Sequence, residues 1–352
     1  GSLSLSFTYN RHEYDDATVR ALVKAFEINL QAIIRHCRQK QRPEQTPSDV
    51  MEPAYAALSL AEFAGIRDHI EDNIPGNPGI EAIYPLSPMQ KGMLYHRLSN
   101  DRYDIYFSQT LFRLEGRLEK DLLEKAFNRL IQRYDVFRTI FIYQGLGQPV
   151  QVVLKHRTAA VHEEDISHLA EEEQTRHLEE WGQAEKVGGF DLSKDLMMKL
   201  TLFKTGENHY HLGWGFHHML MDGWCLGIIY NELTDIYRAL AQGKPPRLEP
   251  VMPYRTYIRW LVKQDRAAGF EYWEQYLSGY EVPAVLPGFT PAPAGTDHDY
   301  KLEEYSLEIG HQDTAALRAL AAANQVTVNT VFQALWGGLL QRYNNTGAVV
   351  FG

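Results

Sequence analysis

Phe216-His217-His218-Met219-Leu220-Met221-Asp222-Gly223-Trp224 is the stretch on which the reading of this chain turns. It stands between a run that alternates and a run with helical spacing. Upstream, Tyr210, Leu212, Trp214 and Phe216 recur at every second position, as one face of a strand does. Continuing that alternation puts His218 on the same face and His217 on the other. Downstream, Leu226, Ile229, Tyr230, Leu233, Ile236, Tyr237 and Leu240 make the apolar stripe of a helix. A strand-to-helix turn suits a reactive side chain, because two regular elements anchor it. By itself the pattern admits two readings: a reactive imidazole at His218, or two packed histidines with Asp222 capping the next helix. A metal centre fits less well, since adjacent strand histidines point apart and no third ligand is suitably spaced.

Working outward, the strand before His217 pairs with its predecessor in a hairpin over 197–216, turning at Thr205-Gly206-Glu207-Asn208. Further strands are expected at 105–114, 137–143 and 149–155. Leu122, Leu123, Ala126, Phe127, Leu130 and Ile131 mark a helix, and Ser87-Pro88-Met89-Gln90 opens another, with Ser at the cap and Pro at the first helical position. After a crossing segment with Pro245, Pro246, Pro250 and Pro253, a Pro-rich loop at 287–295 precedes helices near 312–323 and 329–343. The second of these is expected to be capped by Asn329, with an apolar strand beginning at the end of the sequence. Helices mixed with antiparallel hairpins make this α/β or α+β, not a simple doubly wound sheet.

The first 80 residues read differently. Residues 4–9 alternate weakly and are expected as a short strand. Val19, Leu22, Val23, Phe26, Leu30, Ile33 and Ile34 then give a helix with a wide apolar stripe. From Arg38 to Pro53 the chain is polar, with Pro43 and Pro47, and reads as a tether. Ser59 with Glu62 makes a capping box for a short helix, and Pro75, Gly76, Pro78 and Gly79 break the chain.

Composition bounds the function. The sequence has 352 residues, 44% of them hydrophobic and 12% aromatic, enough for a core shared by about two folding units. A net charge of −10 with no basic stripe argues against nucleic acid and anionic membrane as partners. The two cysteines, Cys37 and Cys225, lie far apart and form no metal-binding spacing. No apolar run reaches the roughly 18 residues that suggest a membrane helix. A soluble, cytoplasmic protein with reduced thiols is expected.

His217-His218-Met219-Leu220-Met221-Asp222-Gly223 resembles the HHxxxDG signature of the condensation domains of nonribosomal peptide synthetases, relatives of chloramphenicol acetyltransferase. Other segments agree in order. Tyr84-Pro85-Leu86-Ser87-Pro88-Met89-Gln90 with Gly92-Met93-Leu94 resembles the opening motif. Arg133-Tyr134-Asp135-Val136-Phe137-Arg138-Thr139-Ile140-Phe141 resembles the second motif, with Tyr134 where His is more usual. Tyr254, Tyr257 and Trp260 resemble a later one, and Asn329 onward resembles the start of the central part of the second lobe. The resemblance runs from Ile83 to the end of the sequence. It implies a chloramphenicol acetyltransferase-like fold, with a complete N-terminal lobe over 83–247 and a truncated C-terminal lobe over 248–352.

The implied activity is peptide-bond formation between an upstream carrier-bound thioester and a downstream carrier-bound amine. His218 corresponds to the catalytic histidine. His217, Asp222, Gly223 and Arg138 take supporting roles: Asp222 pairs with Arg138, Gly223 lets backbone approach the reacting centre, and Trp224 packs. No metal is implied and no cofactor bound by this chain, since the phosphopantetheine arms belong to partner carrier domains. Adenylation and epimerization domains are the implied neighbours. Met89 to Leu94, Met221 to Cys225 and Tyr134 resemble the subtype that joins a D-configured donor to an L-configured acceptor. Residues 1–37, with Tyr9-Asn10-Arg11-His12-Glu13-Tyr14, resemble the closing strand and helix of an epimerization-like domain, and 38–82 its linker. Residues 4–36 are therefore expected to dock onto the partial second lobe or another copy of the chain. Three alternatives remain: a silent partner-recruiting module, an epimerization domain over 83–352, and a coenzyme A acyltransferase.

Overall fold

The computed structural model describes residues 4–39, 45–55, 58–99, 105–281, 283–288 and 305–351. In chain order the helices and strands are α1 (Asp16–Gln39), α2 (Pro47–Val50), α3 (Leu60–Asn73), β1 (Ile80–Pro85), α4 (Pro88–Ser99), β2 (Phe107–Glu115), α5 (Lys120–Arg133), β3 (Thr139–Ile142), β4 (Val150–Leu154), β5 (His162–Asp165), α6 (Glu171–Gly188), β6 (Met198–Gly206), β7 (His209–His217), α7 (Gly223–Ala241), α8 (Tyr254–Val262), α9 (Arg266–Tyr276), α10 (His311–Ala323) and α11 (Val328–Asn344). The chain divides into two compact units after Gln264.

In the first unit, β7 is the element that positions the site. It runs antiparallel to β2 on one side and to β6 on the other, and β5 adds a parallel edge, giving the order β2-β7-β6-β5. The expected hairpin and turn are present. One face of β7, with Tyr210, Leu212, Trp214 and Phe216, enters the main core. Helices α5 and α7 cover that face. On α5 the buried residues are Leu123, Ala126, Phe127, Leu130 and Ile131, spaced as a helix face requires. Phe127 meets Trp214 edge-on, with ring centroids 6.3 Å apart. Across the sheet, Trp181 of α6 lies over Gly213, where an added Cβ would stand 2.2 Å from the indole. A glycine at that strand position lets a large ring approach the backbone.

A second sheet, ordered β1-β4-β3, carries core on both faces. Phe63, Ile66 and Ile70 of α3, with Ile74 after it, pack on one face with Val50. The stretch expected as a linker, 38–82, therefore contributes core from Val50 onward. Its Ser59–Glu62 capping box is formed as expected. On the other face Ile258 of α8, 1% exposed, joins Tyr84 and Val153. That is why the first unit extends past 247, where sequence reading divided the lobes.

Several expectations fail. Residues 4–9 form no strand. A strand needs a partner ladder, and none is supplied among the described residues. α1 is present but buries none of its residues, and Phe26 and Ile33 are 44% and 60% exposed. Its ring contact is with its own lead-in segment, Phe7 on Phe26 at 5.5 Å. Within one chain the apolar stripe of α1 is thus left exposed, and docking on another copy of the chain stands as an expectation. In the second unit, α11 is capped by Thr327, whose hydroxyl accepts from the Thr330 N–H, and not by Asn329. Residues 348–350 form no strand. Pro43 and most of the Pro-rich loop expected at 287–295 fall outside the described residues.

Candidate active site

β7 ends at His217, and the chain turns through Met219, Leu220 and Met221 into α7. The two histidines face opposite ways, as alternation demands. His217 is fully buried. Its Nδ1 accepts the Met219 N–H at 3.0 Å, so that nitrogen carries no proton. His218 is half-buried and continues the Phe216 face, with ring centroids 5.6 Å apart. Its backbone N–H donates to the Tyr106 carbonyl at 2.9 Å, which extends the β2–β7 pairing by one residue.

Both ring nitrogens of His218 have partners. Nδ1 lies 3.2 Å from the Met221 carbonyl oxygen, and Nε2 lies 2.8 Å from Ser108 Oγ of β2. A carbonyl can only accept, so Nδ1 carries the proton and donates it. In a neutral ring Nε2 then presents its lone pair. This arrangement fixes the tautomer and directs the basic nitrogen at the Ser108 hydroxyl.

The turn is held from below by the opening motif. Gln90 Nε2 donates to the Met219 carbonyl at 3.0 Å. Gln90 in turn exchanges amide bonds with Gln151 and accepts the Ser87 N–H at its Oε1. Burial makes each of these bonds matter, since an unpaired amide there would be costly. The second motif is tied to α7: Arg133 bonds Glu232 through Nε and Nη2 at 2.8 and 2.9 Å, and Tyr134 Oη donates to the same carboxylate at 2.8 Å. Burial, then the Glu232 bond, push the Tyr134 phenol up to about 12. Asp135 accepts the Tyr254 N–H, which joins the later motif to the second. Burial pushes its carboxyl upward. Segments far apart in sequence are thus tied to the turn and to the helix that follows it.

Two expectations are corrected. Asp222 does not pair with Arg138. Asp222 is exposed and caps α7, with Oδ1 accepting from the N–H groups of Trp224 at 3.0 Å and Cys225 at 3.2 Å. Arg138, 5% exposed, instead bonds Glu81 at 2.7 Å and the carbonyls of Leu154 and Lys155, bracing β1 against β4. Gly223 opens α7, with no neighbour among the described residues within 4 Å of where a Cβ would stand. Trp224 is 91% exposed and stands outside the core it was expected to join.

The cap makes a clear prediction. Asp222→Ala is expected to cost about 1 kcal/mol, the usual loss for an N-cap carboxylate, while Asp222→Asn stays within a few tenths because Asn caps equally well. Urea midpoints of the three proteins check this. A buried ion pair would make the Asn variant lose several kcal/mol instead. Among the described residues no group of three His, Cys, Asp or Glu side chains is placed to hold a metal ion. Nor is any helix among them long and apolar enough to cross a membrane.

The model of the condensation domain family matches residues 80–352, and the chain belongs to that family. Bacitracin synthase 3 of Bacillus licheniformis is 37% identical over 350 residues, 99% of this chain. Gramicidin S synthase 2 of Brevibacillus brevis is 40% identical over 286 residues, covering 81% of this chain. The chain spans only 5% and 6% of the lengths of these two relatives. Among solved structures, the first condensation domain of the CDA synthetase superposes with a TM-score of 0.59 at 17% identity, covering 75% of this chain and 63% of that one. The starter condensation domain of the rhizomide synthetase RzmA gives 0.52 at 19% identity, over 58% and 50%. At these identities the likeness shows the fold, which is the chloramphenicol acetyltransferase-like one expected.

Proposed function

We propose that this chain carries the active half-site of an enzyme that forms peptide bonds in nonribosomal peptide synthesis. An upstream carrier presents an acyl thioester, and a downstream carrier presents an aminoacyl amine. The amine nitrogen attacks the thioester carbonyl carbon, the C–S bond breaks, and the amide stays on the downstream arm. The observation that carries this reading is the fixed tautomer of His218: Nδ1–H is committed to the Met221 carbonyl, leaving Nε2, in contact with Ser108 Oγ, as the proton-accepting nitrogen of the site. A thioester is already activated. The site therefore has to orient the amine and move its proton, and positioning alone can contribute about 7–11 kcal/mol. His217, with its Nδ1 already occupied, supports the turn. Asp222 seats α7, and Arg138 holds the neighbouring sheet.

The phosphopantetheine arms belong to the carriers, and this chain needs no cofactor of its own. Adenylation and epimerization domains are its neighbours in the longer polypeptide. The relatives that align over nearly its whole length are themselves large synthetases, which supports that setting.

The donor is D-configured at its terminal residue. Met89 to Leu94, Met221 to Cys225, Tyr134 and the epimerization-like segment 1–37 support this subtype. With matched carriers bearing donors that end in D- or L-residues, the D-donor is expected to react faster, read by mass spectrometry of the released peptide. Equal rates would remove the stereochemical assignment while leaving amide formation standing.

A further inference from the structure

Ser108 sits on β2 opposite Phe216 in the ladder. That register makes it the diagonal neighbour of His218 on the same sheet face. Its Oγ stands 2.8 Å from His218 Nε2. Because Nδ1 holds the ring proton for Met221, the proton in this contact belongs to the serine: the hydroxyl donates and Nε2 accepts. The basic nitrogen of the site is therefore already occupied by a donor. An amine that bonded Nε2 directly would have to displace it.

The hydroxyl has unused capacity. It donates one hydrogen bond and has two lone pairs, and among the described residues no group donates to Ser108 Oγ. Ser108 is half-buried, so the residue is not sealed into the core. The strand holds it there from both sides, with Phe107 and Gln109 in register with His217 and Gly215. A group locked on a strand is better placed for proton transfer than one on a loop.

We propose that Ser108 is a catalytic residue that relays the acceptor amine's proton to His218, an inference that rests on the amide-forming reading above. The amine N–H donates to Ser108 Oγ while the Ser108 O–H donates to His218 Nε2. As the nitrogen bonds the thioester carbon, its proton passes to Oγ, and the serine proton passes to Nε2. The protonated imidazole then returns a proton through the same hydroxyl to the departing sulfur, and the C–S bond breaks to a thiol. Serine and histidine end as they began, and no oxidant, reductant or further reactant is consumed.

The test is single-turnover amide formation with preloaded donor and acceptor carriers, on the full synthetase polypeptide, comparing Ser108→Ala, Ser108→Thr and His218→Ala with the parent. Ser108→Ala is expected to slow the step by about tenfold or more. That is less than the ~10²-fold scale of a whole acid–base group, because water can stand in for the hydroxyl. Ser108→Thr keeps the hydroxyl and is expected to recover most of the rate. Rates across H₂O–D₂O mixtures give a readout that a merely structural serine would not move. The parent is expected to show a curved dependence from two protons in flight, and Ser108→Thr the same. A parent rate that falls linearly with deuterium, or a Ser108→Ala variant at full rate beside a slow His218→Ala variant, would overturn the relay and leave His218 as the base. Full rates in both Ser108→Ala and His218→Ala would overturn the underlying reading as well.

Discussion

His218→Ala is expected to lower amide formation by ~10²-fold or more, the scale of a positioned acid–base group. The loss should appear in the rate of the bound complex and leave carrier affinity nearly unchanged, because the half-buried imidazole sits at the inner end of the turn. Folding should survive. The backbone N–H of residue 218 still bonds the Tyr106 carbonyl, and the turn is still held by Gln90 on the Met219 carbonyl. Two hydrogen bonds of the ring are lost together, so neither the Met221 carbonyl nor the Ser108 hydroxyl keeps its partner. Both lie beside a half-buried position that water can reach once the ring is gone. A denaturation midpoint close to the parent's, together with the slow rate, separates chemistry from stability. An unchanged rate would remove His218 from the mechanism.

Phe127→Ala is expected to cost about 3–5 kcal/mol, the range for truncating a fully buried aromatic. Phe127 is 0% exposed, lies in the middle of the α5 stripe, and meets Trp214 of β7 edge-on. The cost has two parts: apolar surface returned to water, and a cavity that α5 and the sheet cannot close. The sheet is held from its other side, because Trp181 already rests on Gly213. β7 therefore cannot shift freely toward α6, or toward α5 without leaving Trp181 behind. Urea unfolding should show the loss as a lower midpoint at similar slope. Activity in the protein that remains folded should fall less than in His218→Ala, since no group at the turn is removed. A loss under about 1 kcal/mol would mean that α5 does not anchor β7.

Much of this was legible before any coordinates. Period two in Tyr210, Leu212, Trp214 and Phe216 put the strand, its buried face and the opposed histidines in place, because alternation is a property of the backbone alone. The capping boxes at Ser59–Glu62 and Ser87–Gln90 are local as well, and both formed. What could not be read were choices among tertiary partners. A carboxylate followed by Gly223 and Trp224 fits a helix cap as well as an ion pair, and the resemblance favoured the pair. Arg138 had several acids in reach of the fold, and only the β1–β4 pairing brings Glu81 to it. Ser108 could have been found from its register opposite Phe216, but a single polar residue on a strand carries little information until the pairing is known. In the stretch from Arg38 to Gly79, prolines and polar residues hid the apolar spacing of Phe63, Ile66, Ile70 and Ile74. Residues 4–9 alternate without an edge to join among the described residues.

Intact-mass spectrometry of the downstream carrier tests the central claim most directly. The full polypeptide is mixed with a donor-loaded upstream carrier and an aminoacyl-loaded downstream carrier, and the downstream carrier is weighed over time. The account predicts that the downstream carrier gains the mass of the donor acyl group, that the upstream carrier is left as the free thiol, and that the gain slows sharply in His218→Ala. A donor that changes configuration while remaining on its own carrier, or one released to water with no mass gained downstream, would contradict it.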